Sequence, residues 1–383
     1  MESVSFLEIV GLTLGRFWPV WIALAFILIT GLMYQNRLGL YGRLFSSGVG
    51  IAGVMILGFW VFTALFADII VTVDPLAQFP AMKNKLPGTI EPGTGIAFLF
   101  GGDNLARDVF SRVVSGSQIV LIIAPAATAF ALMVGTVLGL PAGYFGGKTD
   151  TIVSFLANLV LAFPVILLFY LLVTPGIMET PIPYAMAGVF FMFPILFFLT
   201  LFYTKFKNRS EKLVPYMALT LLLGGWIYIG LVFDADPLGI VAIDPNELNI
   251  FVSVVFVTSP AVFRIVRGLV LDIKTRDYIA AAQTRGESPW YIMLWEILPN
   301  ARGPLIVDAC LRIGYTTILL GTLGYFGLGL APESPDWGTA IKDGSRLLRL
   351  YAHPAIFPAL ALMSFVLGLN MLADSLREES LKD

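Results

Sequence analysis

A single histidine and a single cysteine stand in this chain of 383 residues. His353 cannot by itself build a histidine-based metal site. Cys310 has no second cysteine to pair with, and its apolar neighbours make it a packing residue. Charge is scarce too. Asp, Glu, Lys and Arg make up 13% of the chain, where soluble domains carry about 25%. The net charge is −2 and no long basic run is present, so no nucleic-acid partner is expected. The opening MESVSFLE is acidic and the first apolar run is long, without an obvious A-x-A cleavage site, so no cleaved signal peptide is expected.

What is abundant is apolar surface, at 57% hydrophobic residues. A soluble protein of this size could not hide so much, which points to a polytopic membrane protein. At a rise of 1.5 Å per residue, a hydrocarbon core of roughly 30 Å needs about 20 residues of helix. Nine apolar runs are long enough: 17–34, 48–70, 117–141, 152–173, 184–204, 213–233, 249–269, 304–330 and 355–375. Backbone groups in lipid must pair internally, so each run is predicted to be a helix.

Lys and Arg decide the orientation. With loops 35–47, 142–151, 205–212, 264–303 and the tail 376–383 inside, fifteen of the 24 basic residues are cytoplasmic and eight are outside. Arg312 lies within a span. Loop 234–248, with Asp234, Asp236, Asp244 and Glu247 and no base, belongs outside. This predicts an extracytoplasmic N-terminus and a cytoplasmic C-terminus.

Residues 142–149, AGYFGGKT, imitate the phosphate-binding loop G-x-x-x-x-G-K-[ST]. A working phosphate loop joins a buried strand to a soluble helix. This one joins two apolar spans. No nucleotide is expected here; Gly143, Gly146 and Gly147 read as a tight turn and Lys148 as an anchor.

The longest polar cytoplasmic stretch is 270–303. It reads as two short helices. The first runs from Asp277, which suits the helix dipole, to about Arg285. It presents Ala280, Ala281 and Ala282, with Gly286 as its C′ residue. The second has Ser288 as N-cap and Pro289 at its first position. It presents Trp290, Tyr291, Met293, Leu294 and Trp295 and ends before Pro299. The residues alone leave two readings open. Such a surface is covered by another protein, or it lies on lipid headgroups.

Ala280-Ala281-Ala282, Gly286 and Ile297-Leu298-Pro299 resemble, at the same spacing, the EAA loop of ABC importer permeases. Around it, GGDNLARDVFSRVVSG (101–116), LPAGYFGGKTD (140–150), LAFPVILL (161–168), RIVRG (264–268), LGYFGLGLAPESPDWGTAIKDG (323–344) and LGLNMLADSLREES (367–380) resemble, in order, the C-type permease subunits of dipeptide, oligopeptide and nickel importers. The resemblance covers about 45–173 and 250–380. It implies an all-α polytopic protein of the type I ABC importer permease fold, with about nine transmembrane helices. Six form the family core, one precedes it (17–34) and two are additional (184–204 and 213–233). The implied division is an extra helix and turn over 1–44, a first family helix and outer loop over 45–116, the permease domain over 117–376 and a tail over 377–383.

The resemblance further implies a B-type permease partner, two ATPase subunits that bind ATP and magnesium, a solute-binding protein outside and membrane lipid around the spans. It implies no cofactor, metal or catalytic residue in this chain. Coupling to the ATPase would fall to Asp277, Tyr278, Ala280, Ala281, Ala282, Gly286, Trp290, Ile297, Leu298 and Pro299. The chain departs from the family in Ala280 for Glu, in Glu296 where a base is frequent, and in Leu320 where many relatives carry Glu.

Asp308 and Arg312, four residues apart within a span, are expected to form a structural pair or part of a gate. Asp103, Arg107, Asp108 and Arg112 recur at helical spacing and predict an amphipathic outer element with internal salt bridges. In loop 331–354, Trp337 and Asp343 are candidates for docking a binding protein or shaping an outer gate, beside the reading of a solvated loop. Two rivals stand against the importer: a self-contained secondary transporter and an intramembrane enzyme.

Overall fold

The computed structural model describes every residue except Met1, Leu38, Asp234, Pro237, 240–243, 329–332 and 381–383, with only the backbone described at Leu40, Glu379 and Ser380. Asp234 of the acidic loop, Pro332 of the outer loop and Lys382 of the tail therefore lie outside the described residues. Among those described, seven helices are long and apolar enough to cross a membrane, or up to nine if two bent pairs each count as one span. The chain forms two compact units, 1–125 with 310–383 and 126–309, and passes between them within two long helices.

The first unit opens on α1 (Phe6–Arg16), a helix the sequence reading did not anticipate. Eleven residues are too few to span, and Gly11 and Gly15 weaken its helical signal. Ser5 and Glu8 close a capping box at its start, and Phe6, Leu7, Leu12 and Leu14 are exposed. It meets α2 (Trp18–Tyr34) at 60°. Residues 2–4 add to a small hairpin of β1 (Thr89–Ile90) and β2 (Ala97–Phe98): Val4 N–H donates to Gly88 and Ile90 N–H to Glu2, both at 3.0 Å. In the same unit α3 (Gly48–Leu65) packs on the closing helix of the chain, His353–Ser380. A Cβ at Gly53 would stand 2.8 Å from the backbone nitrogen of Leu372. Trp60 Nε1 donates to Ser364 Oγ at 2.9 Å.

The span expected over 117–141 is longer. α4 (Val109–Phe145) begins eight residues earlier, because Asp108 caps it and the side chains around Arg112 are buried rather than solvated. It also absorbs Gly143, which is not a turn residue. Gly146 and Gly147 alone make the turn, at φ +65° and +57°. The span expected over 152–173 is two helices, α5 (Gly147–Leu161) and α6 (Val165–Leu172), bent by 86°. Pro164, between them, lacks the N–H a continuous helix needs and disfavours helix at Phe163. α7 (Ile182–Phe190), α8 (Met192–Phe206), α9 (Ser210–Phe233) and α10 (Pro245–Ile273) follow.

The second unit is organised by a glycine stripe. Gly135, Gly139 and Gly143 recur every four residues on α4 and face Val262, Val266 and Val270 of α10. A Cβ at Gly139 would stand 2.8 Å from Val266 Cβ, and one at Gly143 2.7 Å from Val270 Cβ. In a bilayer, where lipid is as apolar as leucine, such close backbone approach is what holds helices together. Gly139→Leu is expected to destabilise the protein by about 1–3 kcal/mol through overpacking, read as a lower thermal midpoint in detergent. Gly268→Leu is the control, since a Cβ there meets nothing within 4 Å. Equal midpoints for the two variants would refute the close-packing argument.

Candidate coupling site and outer polar network

The 270–303 stretch folds as expected at its start. α11 (Asp277–Thr284) ends in a Schellman motif: Glu287 N–H donates to Ala282 at 3.2 Å and Gly286 N–H to Gln283 at 2.9 Å. Gly286 has φ +79°, the left-handed region that favours glycine. Ser288 then caps the next helix through Tyr291 N–H, with Pro289 at its first position.

That second helix, α12 over 289–300, does not end before Pro299. One α turn, Pro289–Tyr291, widens into a π segment, Ile292–Ile297, and closes with Leu298–Asn300. The wider turn accommodates the proline ring, which in a regular helix would collide with the carbonyl four residues back. The expected exposed face is also smaller. Met293 and Leu294 are buried with Ile279, Ala282, Ile292 and Ile297 against Val266, Val270 and Ile273 of α10. Leu298 and Trp295 are half-buried. What remains outward is Asp277, Tyr278, Ala280, Ala281, Gly286, Trp290 and Pro299. Partial burial raises the Tyr278 hydroxyl above its ordinary range.

Polar contacts fix this loop to its own unit. Lys274 Nζ donates to the Gly143 carbonyl at 2.8 Å, at the end of α4. Arg267 donates to both carboxylate oxygens of Asp150 in the neighbouring turn. Arg285 pairs with Glu296 at 2.9 Å. From α8, Thr204 Oγ1 accepts from Trp295 Nε1 at 3.1 Å, and the Lys205 ammonium stands 4.3 Å from the Trp295 ring centre.

In the first unit the outer candidates converge, but not as a surface element. Asp103 Oδ1 accepts from the backbone N–H groups of Leu105 and Arg107, and its Oδ2 from Arg107 Nε at 2.7 Å. The other arm of Arg107 reaches Asp343 at 3.1 Å. Arg112 stands 3.9 Å from Asp103 and donates to the Ser334 carbonyl at 2.9 Å. Arg107 and Arg112 are each only 2% exposed. The amphipathic outer element expected over 103–112 is thus a buried cluster, because these charges satisfy one another instead of facing water. Asp108 accepts from Thr72, Ser111 and Phe110, and burial still pushes its carboxyl above the usual carboxylate range.

α14 (Trp337–Ser345) starts at Asp336, whose Oδ1 accepts from Thr339 N–H. Trp337 is 1% exposed; its Nε1 donates to the Val113 carbonyl at 2.9 Å and its ring meets Trp60 edge-on. Trp337 itself therefore presents no solvated face. Asp308 and Arg312 lie one turn apart on α13 (Arg302–Phe326), with Arg312 buried and Asp308 half-buried.

A sequence model of one family, described as "Binding-protein-dependent transport system inner membrane component", matches residues 135–378. The chain belongs to this family. It is an all-α polytopic permease of the type I ABC class, with one two-stranded hairpin besides its helices among the described residues. It is similar to the dipeptide transport system permease protein DppC of Alkalihalophilus pseudofirmus, at 26% identity over 88% of this chain and 87% of that one. It is similar to the glutathione transport system permease protein GsiD of Pectobacterium atrosepticum, at 28% over 76% and 74%. It is also similar to the di/tripeptide transport system permease protein DppC of Pseudomonas aeruginosa, at 25% over 91% and 92%.

Within this permease, sequence reasoning missed two partners of the loop. Glu296, a departure from the family pattern, is matched by Arg285 eleven residues back. Trp295 is held from α8, some ninety positions away, and no local spacing announces such a contact.

Proposed function

We propose that this permease is the C-type transmembrane subunit of an ATP-driven importer of peptides or similar small solutes, and that residues 277–299 couple it to an ATPase. The observation that carries the reading is the shape of the loop. α11 and α12 are seated on the buried end of α10, and an outward patch of Tyr278, Ala280, Ala281, Gly286 and Trp290 is left uncovered. Small side chains flanked by aromatic ones allow a partner to approach closely. Motion of that patch passes into α10 through packed side chains, which suits alternating access driven by closure of an ATPase pair. The named relatives carry dipeptides, di/tripeptides or glutathione, which supports a peptide substrate here.

ATP and magnesium belong, in this reading, to two ATPase partners. A B-type permease completes the path, and an extracytoplasmic binding protein delivers the solute. The pairing of residues 2–4 with the hairpin of the 71–108 segment supports an N-terminus on the same side as that segment, extracytoplasmic by the charge bias.

The test is a pull-down in mild detergent through a C-terminal tag, with co-eluting proteins identified by mass. A second permease and one or two ATPase chains are expected. A lone chain or a homo-oligomer, together with ion-coupled uptake, would overturn the reading in favour of a secondary transporter.

A further inference from the structure

We propose that the α8–α9 hairpin binds an anionic phospholipid, with an acyl chain in the groove between the two helices and the head phosphate on their basic turn, against the coupling loop. The groove holds about 350 Å³ and is lined by Phe191 between α7 and α8, by Ile195, Phe198 and Phe202 on α8, and by Leu223 and Ile227 on α9. Thr220, which also lines it, already donates its hydroxyl to the Tyr216 carbonyl at 2.8 Å. At one end Tyr216 stacks with both Phe202 and Phe206, with ring centres 5.0 and 5.1 Å away. α7 and α8 together (Ile182–Phe206), and α9, are long and apolar enough to cross a membrane, and the apolar molecule available at such a surface is a lipid chain.

Beyond the stacked rings comes the turn TKFKNRSEK, residues 204–212, with Lys205, Lys207, Arg209 and Lys212 against one acid, Glu211. Among the described residues the side chains of Lys207 and Arg209 make no hydrogen bond or ion pair. With Lys205 they line a second cavity, of about 520 Å³, whose far wall is Gly286, Glu287 and Ser288 of the coupling loop. Three cations facing one carboxylate suit a phosphate. Basic residues just inside a span are the usual attachment for anionic headgroups. The groove selects a lipid over free phosphate, since only a lipid carries both chemistries. Lys205 contacts Trp295 of α12 directly, so the headgroup charge acts on the segment assigned above to ATPase coupling; that last step rests on the proposed function, while the binding itself does not.

The experiment is native mass spectrometry of the full-length chain in neutral detergent, titrated with phosphatidylglycerol and with phosphatidylcholine of the same acyl chains. Selective retention of phosphatidylglycerol is expected. The double variant Lys207→Gln/Arg209→Gln, altered only at exposed positions, should weaken it about twenty-five-fold, at about fivefold for each base near a membrane surface. Thr220→Trp, which fills the groove, should weaken it with the basic turn intact. Equal retention of the two lipids, an unchanged double variant, or displacement by inorganic phosphate at matched concentration would each overturn the site. A failed ATPase pull-down with lipid selectivity intact removes the coupling reading and leaves the lipid site standing.

Discussion

Gly286→Asp is expected to abolish ATP-driven uptake while the permease still inserts and folds. The position is open: a Cβ there meets nothing within 4 Å, so no neighbour is displaced. The backbone cost is that of a left-handed φ, roughly 1–2 kcal/mol and less for Asp or Asn, which bond locally. The larger effect is electrostatic. An unpaired carboxylate buried at a protein contact costs several kcal/mol, enough to weaken docking of an ATPase by about a hundredfold or more. Gly286→Asn separates the two contributions, because it has nearly the same shape and backbone preference without the charge. Uptake and ATPase co-purification should survive largely in the Asn variant and vanish in the Asp variant. Equal loss in both would assign the effect to the backbone, and normal uptake with Asp would remove Gly286 from the contact.

Arg107→Met should produce the largest loss of stability. It leaves Asp103, whose side chain is only 6% exposed, facing buried surroundings without its closest cation, and it frees Asp343 as well. Removing one member of a buried, hydrogen-bonded pair costs about 3–5 kcal/mol. Adding Asp103→Asn should recover part of that, since the amide keeps the acceptor for the N–H groups of Leu105 and Arg107 without a stranded charge. Thermal midpoints in detergent for the two singles and the double give the coupling energy. If the double is no better than the singles added together, the pair does not act as a unit.

Much of this was legible in the residues because it is local. Ser288, Pro289 and Gly286 sit where capping chemistry needs them, and most of the apolar runs fall on helices long enough to span. Most of the failures share a cause: they depended on what lay across space. Charges four apart at 103, 107, 108 and 112 look alike whether they face water or one another, and only Asp343 and the Ser334 carbonyl, far along the chain, decide it. Gly135, Gly139 and Gly143 had a readable spacing. Gly143 was instead grouped with its neighbours Gly146 and Gly147, and the valines that explain it lie on another helix. Met293 and Leu294 counted as surface because their polar setting in sequence hid the end of α10 beneath them. A regular helix cannot hold Pro299, so the sequence predicts a stop there, and the π widening that admits it leaves no mark in composition.

The glycine stripe also has a mechanical meaning. Three valines set into three side-chain-free notches mesh like teeth, and a pair of rods meshed along two full turns cannot slide lengthwise or roll without forcing methyl groups into backbone. α4 and α10 are therefore stiff against shear and behave as a single strut. With Lys274 fastened to the Gly143 carbonyl at one end, the 270–303 loop is anchored to that strut at its root, and the 86° break before Val165 lies outside the meshed pair.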